Sequence, residues 1–410
     1  MKTAASENRI YGLDILRALA ILVVVYSHGN FLIAPFITWK WHNMLLSDAV
    51  SVFFVLSGFL IGGILIRVIN KTDFKTSDLL NFWVRRWFRT LPNYFFILFL
   101  LVGLSFYDAY PRMYRPPSWV LYKYLFFFQN FSSPHPDFFP EAWSLSVEEW
   151  FYFLIPLLLF FSIKLKRFTK QKVLLFWIVT IITGITALRI YRAWHPAYND
   201  WLSWDYQIRK EVITRLDSLM YGCLGAYLFY YHKSAFFRNK TIFFWIGIVL
   251  LYLPGFLFCA IPPGTWNMTF TSYFYLTMGS LGTLAILPKL ASVRSGSGPV
   301  YKAINFISAI SYSMYLINMS VVQFHIIPRT IRALGIAYEG KLVIFTFYGL
   351  YWILTIGCSW MLYRFFEKPM TDLRDRISFG KKSVVPPLPN DAALPLKEKL
   401  IVRERQEELA

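Results

Sequence analysis

The sequence predicts an all-α polytopic membrane bundle of about ten transmembrane helices, with one further re-entrant or interfacial segment near 119–131. Three observations predict it. Apolar residues make up 56% of the chain, and its 40 Phe exceed what a soluble core of this size needs. Apolar runs of about 20 residues, long enough to cross a hydrocarbon core, recur along the chain. Lysine and arginine gather in some of the intervening loops and are missing from others, as the positive-inside rule requires. The formal charge of +19 would suggest a nucleic-acid partner in a soluble protein. In a membrane bundle the loop bias accounts for it, and no nucleic-acid partner is expected. The three cysteines, Cys223, Cys259 and Cys358, lie in or at the ends of apolar runs and offer neither a disulfide framework nor a metal-ligand spacing.

The spans, in order, are 13–36, 48–66, 92–106, 148–163, 173–190, 213–231, 241–259, 269–287, 303–327 and 342–364. Lys2 and Arg9 precede the first run in the manner of a signal peptide. That run is too long, contains Arg17 and His28, and lacks a small-x-small cleavage site, so it is read as a retained first helix. Charge decides the status of the short run from Trp119 to Phe131, which carries Lys123 and Gln129. The loops holding Arg67, Lys71, Lys75, Arg85, Arg86 and Arg89, and then Lys164, Lys166, Arg167, Lys170 and Lys172, are both strongly basic. Both are therefore cytoplasmic, an even number of crossings separates them, and 119–131 does not cross. Carried forward, both termini are cytoplasmic. Trp39, Trp41, Trp119, Trp201, Trp204 and Trp266, near span ends, fit interfacial belts. Residues 1–370 form one transmembrane domain. Residues 371–410 form a cytoplasmic, polar, Pro-containing tail too short to bury a core of its own.

The first run carries charge where lipid disfavours it. Arg17 and His28 are eleven residues apart, or three helical turns plus about 20°, so they share a face about 16 Å apart along the axis. A central Arg costs at least about 2.5 kcal/mol on insertion scales, so such a stripe faces a bundle interior or a cavity. His28 is the one histidine of six well inside a span. It reads either as a packing residue bonded to a neighbouring helix or as a general base suited to neutral pH.

The stretch Glu141-Ala-Trp-Ser-Leu-Ser-Val-Glu-Glu-Trp leads into the fourth span. Ser144 or Ser146 could cap that helix with a Glu in its first turn, which explains one carboxylate. The other, Glu148, lies at a depth similar to His28 and could orient or polarise the imidazole. Arg86 and Arg89, at i and i+3 before the third span, are either an ordinary positive-inside anchor or a planar-fork clamp for phosphates. Ser57-Gly58 suggests close helix packing, and Arg215-Leu-Asp217 an intramembrane ion pair. Ser311, Tyr312, Ser313 and Tyr315 give a late polar stripe. Pro369, after Glu367-Lys368, marks the end of the last helix.

These residues together resemble the membrane-bound acyltransferase family 3, of the O-antigen acetyltransferase type. Asp14-x-x-Arg17-Ala18 with His28 resembles its opening, and Phe53-Phe54-Val-Leu-Ser57-Gly58 its second helix. Arg86-x-x-Arg89 with Pro92, Trp143-Ser-Leu-Ser-Val-Glu148, Arg215-Leu-Asp217 with Gly222, Ile310-Ser-Tyr-Ser-Met-Tyr-Leu and Phe366-Glu367-Lys-Pro369 follow in family order, across roughly residues 10–370. The resemblance implies a ten-helix bundle with a re-entrant segment after the third helix. It implies transfer of an acyl group, usually acetyl, from cytoplasmic acyl-CoA to a carbohydrate hydroxyl at or beyond the outer face of a bacterial cytoplasmic (inner) membrane. One departure stands out: Asn318 follows Tyr315-Leu316-Ile317 where the family often has His. The fused extracytoplasmic hydrolase-like domain of some members is not in this sequence, so the bundle or a separate partner would complete the transfer.

The expectation is an acetyl-CoA-dependent O-acetyltransferase that needs no metal. Arg86 and Arg89 hold the donor phosphates, Arg17 lines the path of its arm, His28 is base or transient acyl carrier, and Glu148 orients it. The acceptor is open among O-antigen, peptidoglycan, glucan, exopolysaccharide, Nod-type oligosaccharide and macrolide. The rival reading is a transporter or flippase of an acylated or anionic compound, with the same polar stripe as its path, although no internal repeat of the transporter kind is visible.

Overall fold

The computed structural model describes residues 10–36, 48–71, 73–106, 120–195, 198, 200–260, 271–377 and 379, and these are helical with connecting turns. The long helices are α1 (Tyr11–Ile33), α2 (Ala49–Ile69), α3 (Thr76–Phe106), α4 (Ala142–Lys164), α5 (Lys170–Trp194), α6 (Leu216–Tyr231) and α7 (Lys240–Ala260). They are followed by α8 (Leu276–Ala291) and α9 (Gly298–Ile317). A π-helical stretch, Asn318–Ile326, carries α9 into α10 (Ile327–Leu334). Another, Tyr363–Glu367, carries α11 (Lys341–Leu362) into α12 (Lys368–Leu373).

Nine helical segments among the described residues are long and apolar enough to cross a membrane. The tenth predicted span is α6, only 16 residues long. It nonetheless reaches both faces of the bundle. At one end Arg215 meets Asp48, before α2, at 3.1 Å, and at the other the Tyr231 hydroxyl accepts from Asn70, after α2, at 2.6 Å.

The basic helix ends collect on one face. Lys170, opening α5, donates to the carbonyl of Lys71 at 2.6 Å, and Gly12 of α1 donates to the carbonyl of Val293, after α8, at 2.9 Å. That bond supplies α1, which has no side-chain cap, with a partner for one of its orphan amides. On the opposite face the Val212 amide donates to Asn130 at 2.9 Å, and the Tyr338 hydroxyl to Leu32 at 3.1 Å. The part of 119–131 that is described forms one short helix, Leu121–Leu125, and a turn with Phe127 at φ 59°. Tyr124, Phe127, Gln129 and Asn130 are buried, so this segment plugs into the bundle without crossing it.

Several element boundaries differ from expectation. α3 starts at Thr76, with Pro92 inside it, so Arg86 and Arg89 stand within the helix. α4 starts at Ala142, which puts Ser144 and Ser146 inside its first turns; neither caps it. Pro369 does not end the helix as expected: the π-helical Tyr363–Glu367 and α12 continue it to Leu373. Trp204 is fully buried and bonds to Ser272 at 2.9 Å, so it is no interfacial anchor. Trp39, Trp41, Trp119, Trp266 and most of the 371–410 tail lie outside the described residues.

The tightest packing is between α2 and α6. A Cβ at Gly58 would sit 1.9 Å from the carbonyl oxygen of Leu219, and one at Gly222 would sit 2.1 Å from that of Val55. Only glycine permits this approach, as Ser57-Gly58 suggests.

Candidate functional site

Two cavities lie inside the bundle, one toward each face. The first, about 110 Å³, is lined by Arg17 of α1, Ser57 of α2, Arg86 and Arg89 of α3, Glu148 and Tyr152 of α4, and Tyr312 of α9. Arg86 is buried and Arg89 is exposed at the mouth, as i, i+3 neighbours on one helical face should be when that face closes a pocket rim. Arg17 is steadied by Asp14 at 3.3 Å and Ser308 at 3.4 Å. Glu148 accepts from Ser57 at 3.0 Å and from the Tyr152 hydroxyl at 2.7 Å. Its neighbour Glu149 is buried and accepts from Thr90 at 2.6 Å.

The second cavity, about 450 Å³, is lined by His28 and Ser27 of α1, Asp48 before α2, Glu141 and Trp143 at the head of α4, and Trp201, Asp205, Arg209 and Lys210. His28 therefore faces a cavity and not lipid. Its Nδ1 lies 2.6 Å from Oδ1 of Asn318. The expected contact between Glu148 and His28 is not formed. Glu148 lies a helical turn and more below the head of α4, in the other cavity, and the neutral amide of Asn318 takes the place foreseen for it. Arg17 and His28 do point inward from one helix, but into different cavities.

The rim of the second cavity is a charged ring. Asp48 receives Arg215 at 3.1 Å, Arg209 at 3.3 Å and Ser51 at 2.6 Å. Burial alone would raise the Asp48 carboxyl, but the two guanidinium groups hold it below its ordinary value. Asp205 takes Lys210 at 2.6 Å and Arg209 as well. Arg209 also lies over the ring of Trp143, 5.0 Å from its centre. Glu141, 2% exposed, accepts from the amides of Met319 at 3.2 Å and Ser320 at 2.8 Å, and from the Ser320 hydroxyl. Burial pushes its carboxyl up to about 7 against those bonds. Arg215 and Asp217 do not pair with each other as expected. Asp217 pairs with Arg189 of α5 at 2.6 Å, both side chains fully buried.

The two cavities share wall residues, Val50 and Tyr315. Tyr315 accepts from Ser144 at 2.7 Å, donates to the Glu141 carbonyl at 3.2 Å, and meets the ring of Phe53 edge-on at 6.5 Å. Val50 and Tyr315 thus each face both cavities, and both belong to the apolar cluster that includes Leu145 and Phe53. No group of three or more His, Cys, Asp or Glu side chains placed to hold a metal occurs among the described residues.

Residues 10–364 match the acyltransferase domain family. A Staphylococcus aureus protein named as a putative O-acetyltransferase is 26% identical over 88% of this chain and 57% of its own length. The peptidoglycan O-acetyltransferase of Listeria monocytogenes is 26% identical over 56% of this chain and 36% of its own length. A Bacillus subtilis protein named as a putative peptidoglycan O-acetyltransferase is 33% identical over 37% of this chain and 24% of its own length. The chain thus spans little more than half the length of the first of these relatives. No solved structure matches it.

Proposed function

Because the chain belongs to the acyltransferase domain family, we propose that it is a transmembrane O-acyltransferase, moving an acetyl or related acyl group from acyl-CoA to a hydroxyl of a cell-envelope glycan. The observation that carries this reading is the pair of cavities, one holding arginines and the other an imidazole, back to back across Val50 and Tyr315.

The face with the basic helix ends is assigned to the cytoplasm of a bacterial inner membrane, by the positive-inside rule. Arg86 and Arg89 then take the donor's phosphates, for which planar bidentate forks are suited. The thin pantetheine arm runs past Arg17 toward the partition. Glu148, held by Ser57 and Tyr152, lines the same cavity as Arg17 and Arg89. In the larger cavity the acceptor hydroxyl meets His28, which takes its proton as the oxygen attacks the thioester carbonyl. The C–S bond breaks, the ester forms, and His28 returns the proton to the departing sulfur so that CoA leaves as the thiol. The size of this cavity, its aromatic walls Trp143, Trp201 and Tyr275, and its ring of Asp48, Asp205, Arg209 and Lys210 suit a polyhydroxylated acceptor.

The test is release of CoA thiol from acetyl-CoA by the purified protein in liposomes. Release above empty liposomes is expected. A transporter of the same fold would release none, and that result overturns the reading.

A further inference from the structure

Asn318 stands where α9 passes into the π-helical stretch Asn318–Ile326, and it is fully buried. Both hydrogens of its amide are committed within its own chain segment: Nδ2 donates to the carbonyls of Met314 and Tyr315, each at 2.9 Å. Carbonyl oxygens only accept, so these two bonds fix which end of the amide is nitrogen, independently of His28. Oδ1 is then the atom 2.6 Å from Nδ1 of His28. An amide oxygen cannot donate, so Nδ1 carries the ring hydrogen, and in the neutral imidazole Nε2 keeps its lone pair. No protein group among the described residues bonds Nε2, and the ring lines the larger cavity.

Two further contacts fix this geometry. The Tyr351 hydroxyl, which donates to the Val25 carbonyl at 3.0 Å, lies 3.4 Å from the same Oδ1. Gln323, five residues along the π-helical stretch, donates to the carbonyl of His28 itself at 3.0 Å. The amide, the ring and the backbone bearing the ring are thereby tied to one another.

We infer that Asn318 is the positioning residue of His28: it holds the imidazole in the Nδ1–H tautomer, so that Nε2 is the basic nitrogen presented to the cavity. It does so without placing a second charge beside the ring. This rests on the reading of His28 as the base that takes the acceptor proton. Asn318 is the first residue of the π-helical stretch, a departure from regular winding that often marks functional positions.

The experiment compares Asn318→Leu, which has the size but no acceptor, with Asn318→Asp, which restores an acceptor oxygen. The controls are His28→Ala and the His28→Ala/Asn318→Leu pair. CoA release from acetyl-CoA is measured as kcat and KM, beside protein level and thermal midpoint in membranes. Asn318→Leu should lower kcat by about 10- to 100-fold with the donor KM unchanged, the cost typical of removing an imidazole-orienting partner. Asn318→Asp should recover most of that kcat and displace the pH–rate profile, which a merely structural role would leave in place. In the His28→Ala background Asn318→Leu should cost nothing more. Parental kcat in Asn318→Leu, or an Asn318→Asp protein at normal level with kcat as low as His28→Ala, overturns the inference. If Asn318→Leu does not accumulate, the Asp variant alone decides it in the same way. Undiminished kcat in His28→Ala is a separate result, and it removes the base on which the inference rests.

Discussion

At the scale of single residues, the groups that matter are those whose partners come from distant parts of the chain. Glu141 binds the Met319 and Ser320 amides and sits at about 7 because burial outweighs those bonds. Its folded value lies above its unfolded one. Its stabilising contribution is therefore complete below the unfolded carboxylate value and is lost as pH rises through about 7. Thermal stability of the purified protein should fall between pH 5 and 7.5, by roughly 2–3 kcal/mol at most, and Glu141→Gln should flatten that slope. In the cavity lined by arginines, Arg86→Gln and Arg89→Gln should each raise the KM for acetyl-CoA about tenfold if it holds the donor, as loss of a hydrogen bond to a charged group does. A fall in kcat at constant KM would instead place these arginines outside donor binding. Arg17 and His28 stand out in the sequence as polar groups inside an apolar run, Arg86 and Arg89 as a basic pair before one, and Glu148 as an acid at the head of one. All five line the two cavities, but the expected Glu148–His28 contact is not formed. Asn318 is marked only as a departure within the family resemblance, and Glu141 is not marked. An Asn after Tyr-Leu-Ile, or a Glu before Ala-Trp-Ser, carries no local mark of a partner nearly 180 residues away or more.

At the scale of elements, α6 shows what pattern reading does and does not reach. The Arg215-x-Asp217 spacing correctly signals buried charge, but residues two apart on a helix point about 200° from each other. Each had to find its partner elsewhere: Asp48 for Arg215, and Arg189 for Asp217. Asp217→Asn leaves Arg189 buried without its counter-ion and should cost about 3–5 kcal/mol, read as a lower thermal midpoint. Replacing both by apolar residues of similar volume should recover most of it. Gly222→Val should be as damaging, because the α2 backbone leaves no room there. The helix count came from hydropathy and loop charge. The boundaries did not, since Pro92 and Pro369 look like breakers, yet each stands within a continuous helix, as transmembrane helices tolerate.

At the scale of the whole molecule, the chain gathers its basic helix ends on one face and builds a large charged cavity under the other. Among the described residues, Val50 and Tyr315 are common to the walls of both cavities. A bulkier partition, Tyr315→Trp, should slow transfer while leaving donor KM alone. The most direct measurement of the central claim follows label from [14C]acetyl-CoA into surface glycan in membranes bearing either the parent or His28→Ala at matched protein level. The account predicts that the substitution abolishes incorporation while CoA analogues still bind at the arginine cavity. Undiminished incorporation in the His28→Ala membranes would contradict it.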